Sequence, residues 1–140
     1  IIGGGEEPGE PGGGGTGEKE VTVWGDKEGE GNLTANWNSS YLTVQPSWLN
    51  QASKVKGPND IDGIKMYVYY TGNGSMEVRE STGKDKYLNK VYINGKMGDW
   101  LELNGLNGEK VSIFVPYDIK DTPFTLSGVD YTITKVTVVK

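Results

Sequence analysis

The sequence predicts an all-β domain, an antiparallel β-sandwich of jelly-roll type, behind a flexible N-terminal linker. From Val21 onward, short runs of alternating apolar and polar residues recur, rich in Val, Ile, Tyr, Thr and Trp. Gly, Asn and Asp separate these runs, and they are the residues that accept the positive φ of tight turns. Helical periodicity is nearly absent, and only Trp48 to Val55 and Tyr117 to Asp121 leave room for a turn or two. Many short strands without intervening helices belong in a two-layer sandwich, not in a parallel α/β sheet.

Taken in order, residues 1–19 hold Gly, Pro and Glu with almost nothing to bury, so they cannot offset the entropy of ordering and read as a disordered linker. Repulsion among Glu6, Glu7, Glu10, Glu18 and Glu20 extends it. Residues 20–140 then make a single domain of roughly 120 residues, enough for one core without disulfides or a structural metal. The expected strands are Val21 to Trp24, Leu33 to Trp37, Tyr41 to Gln45, Ile64 to Thr71, Ser75 to Glu80, Tyr87 to Ile93, Trp100 to Leu103, Lys110 to Val115 and Tyr131 to Val139. Gly72-Asn73-Gly74 reads as a turn between two of them, Asn107-Gly108 as a hairpin turn, and strands adjacent in sequence are expected to pair.

Composition narrows the chemistry. The chain has no Cys and no His, which removes thiolate nucleophiles, imidazole bases and most transition-metal sites. Its formal charge of −5 disfavours nucleic acid and anionic membranes as partners. No apolar run approaches the roughly 20 residues of a membrane span, so no membrane insertion is expected. With no signal peptide in view, the sequence reads as a piece of a longer, secreted or cell-surface precursor, covalently linked to further domains and monomeric.

Strand phase separates core from surface. In GIKMYVYYT, Ile64, Met66, Val68 and Tyr70 share one face, leaving Lys65, Tyr67 and Tyr69 on the other. The same split puts Met76 and Val78 inward against Glu77 and Arg79. It puts Leu101 and Leu103 inward against Trp100, Glu102 and Asn104, and Val111, Ile113 and Val115 inward against Lys110, Ser112 and Phe114. With Leu42 and Val44 buried, Tyr41, Thr43 and Gln45 face outward, and Trp37 joins them if the alternation survives the turn after it. Trp24 is assigned to packing, and Trp48 either plugs one end of the sandwich or stands at a cleft rim.

An outward face mixing aromatic plates with Arg, Glu, Gln and Asn suits a sugar. A pyranose offers an apolar face of C–H bonds and hydroxyls around its edge, so its receptor needs rigid rings with polar groups beside them. The candidate ligand-binding residues are Trp100, Tyr67, Tyr69, Trp37 and Trp48 as plates, with Arg79, Glu77, Glu102 and Gln45 as hydroxyl partners.

The segments VTVWGD, ANWNSSYLTV, GIKMYVYY, GSMEVRES, WLELNG, SIFVPYDI and YTITKVTVV together resemble the jelly-roll carbohydrate-binding modules of secreted glycanases and surface glycan-binding proteins of gut and rumen bacteria. That resemblance spans the domain. It implies binding of plant cell-wall polysaccharide such as β-glucan, xyloglucan or xylan, and no catalysis. It implies no cofactor beyond a structural calcium, for which Asn59, Asp60 and Asp62, or Asp26, Glu28 and Glu30, are candidate oxygen ligands without the spacing of a dedicated loop. Two other readings stand beside it. One is an immunoglobulin-like spacer or adhesin domain that needs only a stable sandwich, for which the sequons at Asn32 and Asn38 would suit a glycosylated surface protein. The other is a glycoside hydrolase using Glu77 and Glu102.

Overall fold

A computed structural model describes residues 19–25, 32–37, 39–80, 91–98, 100–104, 110–121 and 123–140. The expected linker, apart from Lys19, lies outside the described residues, as do Asn107-Gly108 and the carboxylates Asp26, Glu28 and Glu30. The chain is all-β and sandwich-like, as its alternation requires.

The strands are β1 (Glu20–Gly25), β2 (Leu33–Asn36), β3 (Leu42–Val44), β4 (Val55–Lys56), β5 (Asp62–Glu80), β6 (Tyr92–Ile93), β7 (Lys96–Met97), β8 (Trp100–Glu102), β9 (Lys110–Pro116) and β10 (Phe124–Val139). One short helix, α1 (Pro46–Leu49), starts at a proline whose missing N–H costs nothing there. Single 3-10 turns cover Pro58–Asp60 and Tyr117–Ile119.

The frame is a long antiparallel ribbon of β5 and β10, paired from Met66↔Val138 to Glu80↔Phe124. Along the outer edge of β10 lie β1, β2 and β3, end to end. Along the outer edge of β5 lie β9 and then β8, and the β6–β7 hairpin extends the sheet from β9. This corrects the expected turn at Gly72-Asn73-Gly74: the two strands proposed there are one 19-residue strand. Its glycines serve close backbone approach instead. A Cβ on Gly74 would stand 1.8 Å from the Val129 carbonyl oxygen, and one on Gly128 would stand 1.9 Å from that of Ser75. Strands adjacent in sequence therefore mostly do not pair, because β5 and β10 take the long-range partnership first.

Register shifts at Val129/Tyr131 and Ile133/Lys135 bend β10, the first around Asp130 at φ 61°. Both halves of the ribbon deliver their inward side chains into one cluster. Met66, Val68 and Tyr70 meet Met76 and Val78, with Leu42, Val44, Ile113, Phe124, Leu126, Tyr131, Ile133 and Val136. The continuous sheet therefore wraps its own core. The inward residues read from the sequence are buried, Leu101 only by half, but Phe114, read as outward, is buried too, against Tyr92 of the β6–β7 hairpin. Trp24 and Trp48 pack against the core from outside it.

Candidate functional site

The half of the ribbon between Phe124 and Val129 carries the site. Across its outward face the order is β2 and β3, then β10, β5 and β8, so Ser127 pairs with Glu77 and Glu77 with Trp100. One row over, Val129 pairs with Ser75 and Ser75 with Glu102; on the other side, Thr43 pairs with Thr125 and Thr125 with Arg79. The strand alternation thus collects Trp100, Glu102, Glu77, Arg79 and Ser75 on one surface.

Trp37 reaches that surface from the opposite edge. It follows β2 in a tight turn closed by the Asn36 N–H donating to the Ser40 carbonyl at 2.8 Å. Its own N–H donates to the Gly128 carbonyl at 2.7 Å, and its carbonyl accepts from the Ser127 hydroxyl at 3.0 Å. Its φ is 48°, a conformation costing a bulky residue about 1–2 kcal/mol, which those two bonds hold in place. Strain of this kind clusters where a side chain has to be aimed.

The result is an exposed pair of indoles. The Trp37 and Trp100 ring centroids lie 5.9 Å apart with planes 25° from parallel. Their strands stand three spacings apart, about 14 Å, so the two side chains lean together above Ser127 and Glu77. Trp37 is 42% and Trp100 44% exposed, unusual for rings that have a choice of partners. Beside them, the Trp100 indole N–H donates to Glu102 Oε2, and the Ser75 hydroxyl donates to Glu102 Oε1 at 2.9 Å. Those two bonds hold the exposed Glu102 carboxyl below its usual range. Arg79 Nε lies 4.0 Å from Glu77 Oε1, giving a cation and an anion side by side at the platform's edge.

The structure does not bring the two tyrosines here. Tyr67 and Tyr69 lie on the other half of β5, eight or more residues from Glu77 along the strand, a contour of roughly 26 Å. Tyr67 is only 8% exposed, capped by Lys110 at 3.9 Å and Lys65 at 5.2 Å from its ring. Tyr69 donates its hydroxyl to Glu20 Oε1 and lies under Lys135 at 4.3 Å. Glu20 also accepts from Thr137 at 2.7 Å and pairs with Lys110 at 3.0 Å. Tyr69 fastens β1 to the ribbon by reaching Glu20 across β10, while Tyr67 is covered by lysines of β5 and β9. Gln45 is exposed at the end of β3, and Trp48 packs against the core from α1.

Sequence reasoning missed Ser75 and Ser127, whose small hydroxyls gave no signal apart from their strand phase. It also missed a second concavity of about 440 Å³ lined by Lys54, Ile61, Tyr92, Met97, Pro116 and Tyr117. The β6–β7 hairpin beside it turns at Asn94-Gly95, both at positive φ, a readable signal. Among the described residues no three Asp, Glu, His or Cys side chains gather to hold a metal ion, and Asp62 is paired with Lys56 at 2.8 Å. No helix among the described residues is long and apolar enough to cross a membrane. Compared with protein-family models, curated protein sequences and solved structures, the chain shows no match to any.

Proposed function

We propose that the domain is a non-catalytic carbohydrate-binding module of a secreted or bacterial cell-surface protein. It would bind plant cell-wall polysaccharide of the β-glucan, xyloglucan or xylan type and hold an attached enzyme or surface protein against it. The observation that carries this reading is the exposed Trp37–Trp100 pair beside the Glu77–Arg79 ion pair. Rings buried for stability alone would be covered. These offer a flat apolar plate to the C–H face of a pyranose, with charged hydrogen-bonding groups placed for its hydroxyls.

The carboxylates of the platform favour binding over catalysis. A glycosidase needs one carboxyl with a raised pKa to protonate the leaving oxygen, whereas Glu102 is pushed downward and Glu77 lies beside a guanidinium. A spacer reading draws support from Tyr67 and Tyr69, which are committed to internal contacts, but it leaves the indole pair without a purpose.

A shallow, solvated plate implies micromolar or weaker affinity, about −8 kcal/mol or less in magnitude. Affinity electrophoresis through gels containing β-glucan, xyloglucan or xylan tests the reading. The wild-type domain is retarded by at least one polymer. Trp100→Ala and Trp37→Ala each weaken retention tenfold or more, since truncating a central aromatic anchor costs roughly 2 kcal/mol. Thermal midpoints stay close to wild type. Retention that survives both substitutions would refute the site, and migration unaffected by every polymer would refute the function.

A further inference from the structure

We infer that Glu102, itself seated by Ser75, is the positioning residue of the platform: it locks the Trp100 indole in the orientation that stacks on Trp37. The binding part of this inference rests on the platform being a ligand surface; the positioning part does not.

An ionised carboxylate only accepts, through about four lone-pair sites on its two oxygens, so a donor on each oxygen fixes its orientation. Both Glu102 oxygens are engaged within the protein, one by the Trp100 indole N–H and the other by the Ser75 hydroxyl. The geometry follows from sequence and pairing together. Glu102 stands two residues after Trp100 and so shares its outward face, and Ser75 is its direct cross-strand partner on β5. Glu102 is ionised at neutral pH like any exposed glutamate, and its two hydrogen bonds push its pKa further down.

The consequence is conformational. An indole 44% exposed at the edge of a short strand has alternative rotamers, and a ligand would have to select one of them at an entropic cost. The N–H is the only polar handle of the ring, so anchoring it fixes the plane before ligand arrives. Trp37 is pinned through its backbone on both sides, while Trp100 is pinned through its side chain.

Two stacked indoles couple their transitions and give an exciton couplet in far-ultraviolet circular dichroism, a readout that needs no ligand. Glu102→Ala and Ser75→Ala are compared with Glu102→Gln, whose amide oxygen still accepts from the Trp100 N–H. The expected result is a couplet lost in Glu102→Ala, reduced in Ser75→Ala and largely retained in Glu102→Gln. Polysaccharide retention follows the same order, with about a tenfold loss for Glu102→Ala. An unchanged couplet in Glu102→Ala overturns the inference. Lost retention with an intact couplet also overturns it, because Glu102 would then touch the ligand. If the wild-type domain binds no polymer, the glycan reading fails alone and the couplet still decides the role of Glu102.

Discussion

Gly128→Ala bears on both fold and site, because the carbonyl of Gly128 holds Trp37 while its Cα lies against β5. The added Cβ would sit 1.9 Å from the Ser75 carbonyl oxygen and 3.1 Å from the Met76 Cα, at a φ of +116°. Since Cβ contacts under 3.0 Å are essentially unknown, the strands must separate by about 1.1 Å, which takes one or two ladder hydrogen bonds out of range. The lost bonds cost about 1 kcal/mol each, and the positive φ adds about 1–3 kcal/mol. The sum, about 2–5 kcal/mol, is a large share of the 5–15 kcal/mol typical of a domain. Urea unfolding followed by tryptophan fluorescence should show a midpoint lowered by about 1 M or more. Gly95→Ala is the control, with φ +84° and nothing within 4 Å, so its cost stops at about 1–2 kcal/mol of backbone strain. If the two variants lose the same stability, the close crossing of β5 and β10 is not what holds the ribbon together.

Other outcomes follow from particular contacts. Tyr69→Phe removes the hydroxyl that donates to Glu20, so it should lower stability by about 1–3 kcal/mol in chemical denaturation while leaving polysaccharide retention unchanged. Burial raises the Glu20 pKa, but hydrogen bonds from Tyr69, Thr137 and Lys110 outweigh it and the net shift is downward. Glu20 therefore contributes stability that is present above its ordinary carboxylate value and lost as pH falls through the lowered one. In a pH series, Glu20→Gln should flatten the acid limb of the stability curve; a limb of unchanged slope would remove Glu20 from that role. Phe124→Ala empties a fully buried position shared by β10 and the core, and a loss of about 3–5 kcal/mol is expected in the same denaturation assay.

Period-two alternation was enough to read the inward residues of β3, β5, β8 and β9, because burying one face leaves no freedom in which residues share it. It also placed Trp100, Glu102, Glu77 and Arg79 on a common outward phase. What it could not supply was distance along the strand. Tyr67 and Tyr69 share that phase yet sit with Glu20 and Lys110, since phase is local while neighbours are chosen by pairing. Gly72-Asn73-Gly74 carries the residues of a turn, and residues of the same kind permit a close backbone crossing; only the long-range pairing with β10 decides between them. Trp37 lay at the limit of the method, because a positive φ breaks the alternation on which the forecast depended.

The Lys140 N–H donates to the Lys19 carbonyl at 2.8 Å, and Glu20 is paired with Val139, so Lys19 and Lys140 lie side by side at one pole. That arrangement gives the domain a direction-dependent grip. Tension drawn between Lys19 and Lys140 would peel β1 from β10 one pair at a time, and little force would be needed. Were a polymer held at the indoles as proposed, tension drawn from Lys19 against it would run along β1 instead. It would meet the whole β1–β10 ladder and the Glu20 clasp at once, so anchorage would resist far more when pulled through the guest than when pulled through its own ends.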